Sequence, residues 1–204
     1  MKMTLENYMV YVKDQDIILL GIDLQNDFGH KDGKLYVKGS ENIVDAINSN
    51  KFMEIFGMGK IFWTKDFHPQ NHCSFVDNEG IWPVHCVIGT WGARFINGLD
   101  YVDDDIIILK GVDTDVDSYS AFFDNNKAKE TNLKSILKSS GIKKLFVFGI
   151  ATDYCVKFTV LDALELEFEV AVYLPCCAGV NAKDGDVDRA VKEMEDAGAI
   201  IIEE

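Results

Sequence analysis

A thiol, two carboxylates and a lysine stand where short apolar runs of this chain end. Cys155 closes the segment GIATDYC (149–155), directly after LFVF (145–148). Asp23 follows IILLGI (17–22), Asp66 and His68 follow KIFWT (60–64), and Lys110 follows IIIL (106–109). A thiol becomes a nucleophile on losing its proton, a carboxylate can accept that proton, and an ammonium can stabilise the charge they share. These residue types imply a hydrolytic site with Cys155 as nucleophile, Asp23 as proton acceptor and Lys110 as a fixed cation. Thr152 is placed to cap the next helix, which would set Cys155 in its first turn and, with Lys110, lower its pKa. Asp27, in DLQNDF (23–28), is a competing carboxylate but lies farther into the loop.

The four histidines are His30, His68, His72 and His85. None follows a strand where it would activate Cys155. Asp66 and His68 are two residues apart, so both side chains can turn to one side of an extended segment. His85, in WPVHC (82–86), can complete a site of two imidazoles and one carboxylate. Such mixed ligation suits zinc, iron or manganese. His72 reads as a direct ligand or as an outer contact, and His30 as a loop residue. Phe28, Trp82, Tyr119 and Phe123 lie near the same strand ends and could wall a flat apolar pocket.

Positioning these groups on one edge requires a sheet. Six apolar runs read as strands: 17–22, 60–64, 106–109, 145–148, 169–174 and 199–202. Near-continuous apolarity is what a parallel sheet covered on both faces needs. Stripes of period 3.6 mark helices at Ile43/Ala46/Ile47, Leu133/Ile136/Leu137, Val156/Val160/Leu161/Leu164 and Val187/Ala190/Val191/Met194, the last ended by Gly198. The alternation predicts a three-layer α/β/α class with helices on both faces of a mainly parallel sheet. Ligands of such sheets bind outside the carboxyl ends of the strands. The rhythm breaks over 65–98, a span rich in His, Trp, Pro and Gly with at most a short helix near its end. It is expected to build the site rather than decorate the surface. With no linker or repeat, residues 1–204 read as a single domain carrying that excursion.

Composition narrows the partners. A formal charge of -14 argues against nucleic acid, because phosphate contacts need clustered Lys and Arg. No apolar run approaches membrane-spanning length, and the first residues lack the apolar core of a secretion signal, so no membrane partner and a cytoplasmic location are expected. Five cysteines, an odd number, fit reduced thiols better than a disulfide scaffold. Cys73, Cys86, Cys176 and Cys177 read as small side chains without a required role.

The segments DLQNDF (23–28), KDFHPQNHCSF (65–75), WPVHCVIGTWG (82–92), KGVDTDVDSYSAF (110–122) and GIATDYCVKFTVLDA (149–163) together resemble the nicotinamidase branch of the isochorismatase-like cysteine hydrolases. The resemblance implies a six-stranded sheet in the order 3-2-1-4-5-6. It implies a catalytic triad of Asp23, Lys110 and Cys155, and metal ligands Asp66, His68 and His85, with zinc the first choice and Fe or Mn the others. His72 matches a position that contacts the metal or its waters in some members. A cis bond before Ala151 is implied, with the N–H groups of Ala151 and Cys155 as oxyanion hole. The implied substrate is nicotinamide, its ring held by Phe28, Trp82 and Tyr119 and its products nicotinate and ammonia, in NAD salvage. Family members range from monomers to larger assemblies, so a homo-oligomer is compatible with the resemblance. The alternatives are a cysteine amidase of the same superfamily acting on another small amide, which would need the triad but not the metal ligands, and a non-catalytic metal-binding protein on this fold.

Overall fold

Successive residues of the central strands alternate between two hydrophobic layers. Ile17 and Leu19 pack with Ile61, Trp63, Phe146 and Phe148 on one side of the sheet. Ile18, Leu20 and Ile22 pack with Phe62, Leu145 and Val147 on the other. Opposite orientation of neighbouring side chains is the geometry of a strand, and a core on both faces explains why no polar residue interrupts the runs. The computed structural model describes residues 1–12, 17–49, 52, 59–99 and 105–203.

Within these residues the strands are β1 (Lys2–Met3), β2 (Ile17–Ile22), β3 (Gly59–Asp66), β4 (Ile106–Lys110), β5 (Lys144–Ile150), β6 (Glu169–Ala178) and β7 (Ile200–Ile202). They form one sheet in the order β1-β7-β6-β5-β2-β3-β4, and every pairing is parallel. The six expected strands thus occur in the expected order. A seventh, β1, pairs with β7 through Lys2↔Ile201 and Met3↔Ile202, and is too short to leave a periodic signal.

The helices are α1 (Leu5–Tyr11), α2 (Asn26–Gly29), α3 (Ile43–Ile47), α4 (Leu133–Ser139), α5 (Lys157–Glu165) and α6 (Asp186–Asp196). Leu5 and Tyr8 of α1 and Ile43 and Ile47 of α3 join the first layer; Leu133 and Leu137 of α4, Val160 of α5 and Met194 of α6 join the second. Helix α1 lies in a stretch with no predicted element; Thr4 caps it by accepting the Asn7 N–H at 3.3 Å. The excursion contains a short 3-10 turn at Val76–Asn78, in its middle rather than near its end. Among the described residues no helix is long and apolar enough to cross a membrane.

Strand β2 is the switch point, with β3 and β5 on its two sides. Gly149 of β5 has φ +125, and a Cβ there would lie 2.2 Å from the Ile22 carbonyl oxygen. Only glycine permits that approach, which brings the ends of β2 and β5, and so Asp23 and the Cys155 segment, together.

Candidate active site

Lys110 ends β4 with its side chain wholly inside the protein, where an unpaired ammonium would be very costly. Its Nζ pairs with Asp23 Oδ2 at 2.8 Å and with Asp66 Oδ1, and donates to the Ser118 carbonyl at 2.9 Å. The same nitrogen lies 3.4 Å from Cys155 Sγ. One cation therefore joins the ends of β2, β3 and β4 to the turn after β5. Asp23, Asp66 and Cys155 offer one oxygen or sulfur each within 4.8 Å of one another. Thr64 orients Asp23, its hydroxyl donating to Oδ1 at 2.6 Å and accepting the Asp23 N–H at 3.1 Å. Asp23 itself sits at φ 47, a left-handed conformation that non-glycine residues seldom adopt and that recurs at functional sites.

Thr152 does not cap a helix. The residues Thr152–Val156 form a π turn that begins after Ala151, with no side-chain cap. The Ala151 carbonyl accepts the N–H groups of both Tyr154 and Val156 at 3.0 Å. Asp153 turns away to accept the N–H groups of Val180 and Asn181 at 2.8 Å. The Ile150–Ala151 peptide bond is cis, as implied by the resemblance. Ala151 and Cys155 both face the pocket.

The expected lowering of the Cys155 pKa is also corrected. Burial pushes this thiol well above its ordinary value; Lys110 pulls it down, but Asp23 and Asp66 add to the rise. The resting group is a thiol, so attack needs a base. Burial lifts the Asp23 carboxyl as well, against Lys110 and Thr64, toward the basicity such a proton acceptor requires. Burial alone would lift Asp66, but Lys110 and the imidazoles of His68 and His85 outweigh it and hold the group below the usual carboxylate range.

Asp66, His68 and His85 bring ligand atoms within 4.8 Å of one another, all buried. His68 Nδ1 lies 2.8 Å from the Gly111 carbonyl and His85 Nδ1 lies 2.7 Å from the Pro83 carbonyl. A carbonyl only accepts, so both rings carry their proton on Nδ1 and present the Nε2 lone pair, as metal-binding histidines do. His68 Nε2 is buried without a hydrogen-bond partner, 3.5 Å from Asp66 Oδ2. An orphaned donor set of two nitrogens and a carboxylate fits a divalent ion. His72 stacks on His68, ring centroids 4.0 Å apart, and burial next to that ring lowers its pKa to about 4. His30 lies apart, its ring on Trp91.

Gly111 fixes the His68 ring. At φ +58 a Cβ would stand 2.4 Å from His68 Cε1. Gly111→Ala is therefore expected to cost about 1–2 kcal/mol from the left-handed backbone alone, and to displace the imidazole. The measurable result is ion affinity lowered by roughly tenfold or more, read by chelator competition; wild-type affinity would refute this role.

A pocket of about 390 Å³, its mouth included, opens over these groups. Phe28, Trp82 and Tyr119 line it as expected, with Leu35, Val37 and Tyr154. Trp82 Nε1 donates to the Tyr119 hydroxyl at 3.0 Å, and its ring meets Tyr154 edge-on at 4.9 Å. Phe123 is not part of this wall; its ring lies under the ammonium groups of Lys127 and Lys134. Three residues of the DLQNDF loop and its surroundings gain roles that side-chain type did not reveal. Gln25 clamps the Asp66 backbone, accepting its N–H and donating to its carbonyl, both at 2.8 Å. Asp27 accepts the Cys86 N–H at 2.7 Å and the Lys34 N–H at 3.0 Å, tying the residue after His85 to the pocket rim. Thr64 completes the set. A polar run at a buried strand end was the available signal.

The isochorismatase domain family matches residues 18–204. The chain is 40% identical to the nicotinamidase of Escherichia coli (strain K12) over 199 residues, 90% of this chain and 92% of that one. Its fold is similar to a protein of L. infantum solved in complex with nicotinate, at a TM-score of 0.83 and 37% identity over 92% of both chains. It is similar also to the pyrazinamidase of Pyrococcus horikoshii in complex with zinc, at a TM-score of 0.82 and 36% identity over 93% of this chain and 99% of that one. With the sheet order, the cis bond and the clustered strand-end residues, the chain belongs to the isochorismatase-like hydrolases, in their nicotinamidase branch.

Proposed function

We propose that this chain hydrolyses nicotinamide to nicotinate and ammonia through a thioester on Cys155, in NAD salvage in the cytoplasm, within one domain over residues 1–204. The observation that carries this reading is the meeting of Cys155, Asp23 and Lys110 with the Asp66–His68–His85 cluster under an aromatic pocket. Phe28, Trp82 and Tyr119 take the flat ring between them. Asp23 removes the Sγ proton as sulfur bonds to the amide carbon. The N–H groups of Ala151 and Cys155 hold the oxygen that gains charge. Asp23 returns the proton to the amide nitrogen, the C–N bond breaks and ammonia leaves the thioester. Asp23 then takes a proton from water as that oxygen attacks the thioester carbon; the acid departs and sulfur regains its proton. Lys110 keeps the two carboxylates and the sulfur in register throughout.

Asp66, His68 and His85 would hold the divalent ion, zinc first by the N/O donor set and by likeness to a relative solved with zinc. When bound, the ion supplies a Lewis acid that orients the ring and withdraws electron density. Asp66 links this cluster to the thiol site through their shared ion pair with Lys110.

Ammonia release across a panel of small amides, with metal content measured on the same samples, tests the reading. Nicotinamide and its close heteroaromatic analogues are expected to be the best substrates. Complete stripping should lower kcat/KM by at least about two orders of magnitude. Preference for a non-aromatic carbamoyl substrate, or unchanged efficiency without metal, would overturn it.

A further inference from the structure

A second carboxylate stands beside the proposed metal ligands. One oxygen of Asp117 lies within 4.8 Å of ring nitrogens of both His68 and His72. Asp117 also lines the pocket with Tyr119 and His85. Its loop is firmly held: Asn125 N–H donates to the Asp117 carbonyl at 2.8 Å and Asn125 Oδ1 accepts the Tyr119 N–H at 2.9 Å. By donor atoms alone, His68, His72 and Asp117 form a rival ion site that shares His68 with Asp66 and His85.

Hydrogen bonding decides between the two. His68 and His85 give their Nδ1 protons to carbonyls, which leaves Nε2 free to bind a metal. His72 is arranged in the opposite sense. Its Nδ1 accepts the Ser74 N–H at 3.3 Å and lies 2.7 Å from Ser74 Oγ. An amide N–H only donates, so Nδ1 holds a lone pair and the proton of the neutral ring sits on Nε2. A protonated nitrogen cannot ligate an ion; it can only donate a hydrogen bond. His72 Nε2 is buried and has no hydrogen-bond partner in the protein. A buried donor left without a partner is costly, so the site calls for an acceptor. The solvent ligand of an ion meets the need: its oxygen accepts from Nε2–H and its own proton can go to Asp117. Two hydrogen bonds of about 2.8 Å meeting at one oxygen can join a donor and an acceptor roughly 4–5 Å apart.

We propose that Asp117 is the outer carboxylate of the metal centre, holding, together with the Nε2–H of His72, the solvent ligand of an ion bound by Asp66, His68 and His85. It is a positioning residue and touches neither the ion nor the thiol. The inference rests on the ion-binding part of the proposed function.

The test is zinc affinity by competition with a chromophoric chelator, without substrate. Asp117→Asn keeps the acceptor for the Ser118 N–H, now at 2.7 Å, so the fold should persist with unchanged thermal stability in the zinc-free form. It is expected to bind zinc about 10–100-fold more weakly, the usual loss for an outer partner. His72→Phe should show a similar loss, and the double variant no more than either single, because both act on one solvent ligand. Asp115→Asn, exposed on the same loop, should match the wild type. Wild-type affinity in Asp117→Asn would overturn the inference. So would a loss as large as that of His68→Ala, which would make Asp117 a direct ligand. Protein that binds zinc in an Asp117-dependent way yet releases no ammonia would support the inference while sinking the substrate reading.

Discussion

A Cys155→Ala chain is expected to release ammonia from nicotinamide at least about 10⁴-fold more slowly than the wild type while keeping its fold. The size of the loss follows from the chemistry: without sulfur the covalent route is closed, and the remaining groups can only bind and polarise the amide. Cys155 is buried in the hydrophobic layer that includes Val156 and Val160, and losing one sulfur atom there leaves a small cavity, costing far less than total stability. Circular dichroism and zinc content on the same sample separate chemistry from folding. Because the thiol rests protonated, Asp23→Asn should fall in the same class, a nucleophile with no acceptor for its proton.

Replacing Lys110 by Ala is expected to be the most damaging change to the fold and to abolish activity as well. Its ammonium is the shared ion-pair partner of Asp23 and Asp66 in a region where all three are buried. Removing one partner of such a set leaves uncompensated charge, a loss of about 3–5 kcal/mol. That is a large fraction of the stability of an ordinary domain. The long stem also fills space beside Cys155, so truncation adds a cavity. Chemical denaturation checks the stability and ammonia release the activity. A Lys110→Ala protein as stable as the wild type would show that the two carboxylates need no buried cation.

The sheet was legible because its central strands are buried on both faces, which leaves uninterrupted apolar runs at β2 and β5. Strand β1, two residues long, and the seven-residue α1 offer too few repeats for periodicity to register. The gathering of Asp23, Lys110 and Cys155 with Asp66, His68 and His85 was legible for a related reason: reactive side chains collect at the carboxyl ends of parallel strands, where residue type marks them. Residues that act through the backbone of another segment were not. Gln25 holds Asp66, and Asp27 holds Cys86, across sequence separations of 41 and 59 residues. Nor was the protonation of Cys155. A helix start and a lysine pointed downward, but the depth of burial, a tertiary quantity, reverses the direction.

The proposed thioester route requires Cys155 to carry the acyl group during each turnover. Wild-type protein mixed with nicotinamide and quenched in acid within a turnover can be digested and read by mass spectrometry. A nicotinoyl mass is expected on the peptide containing Cys155, absent from Cys155→Ala and lost on the timescale of nicotinate release. Full ammonia release by folded Cys155→Ala, or an acyl group on any other residue, would contradict it.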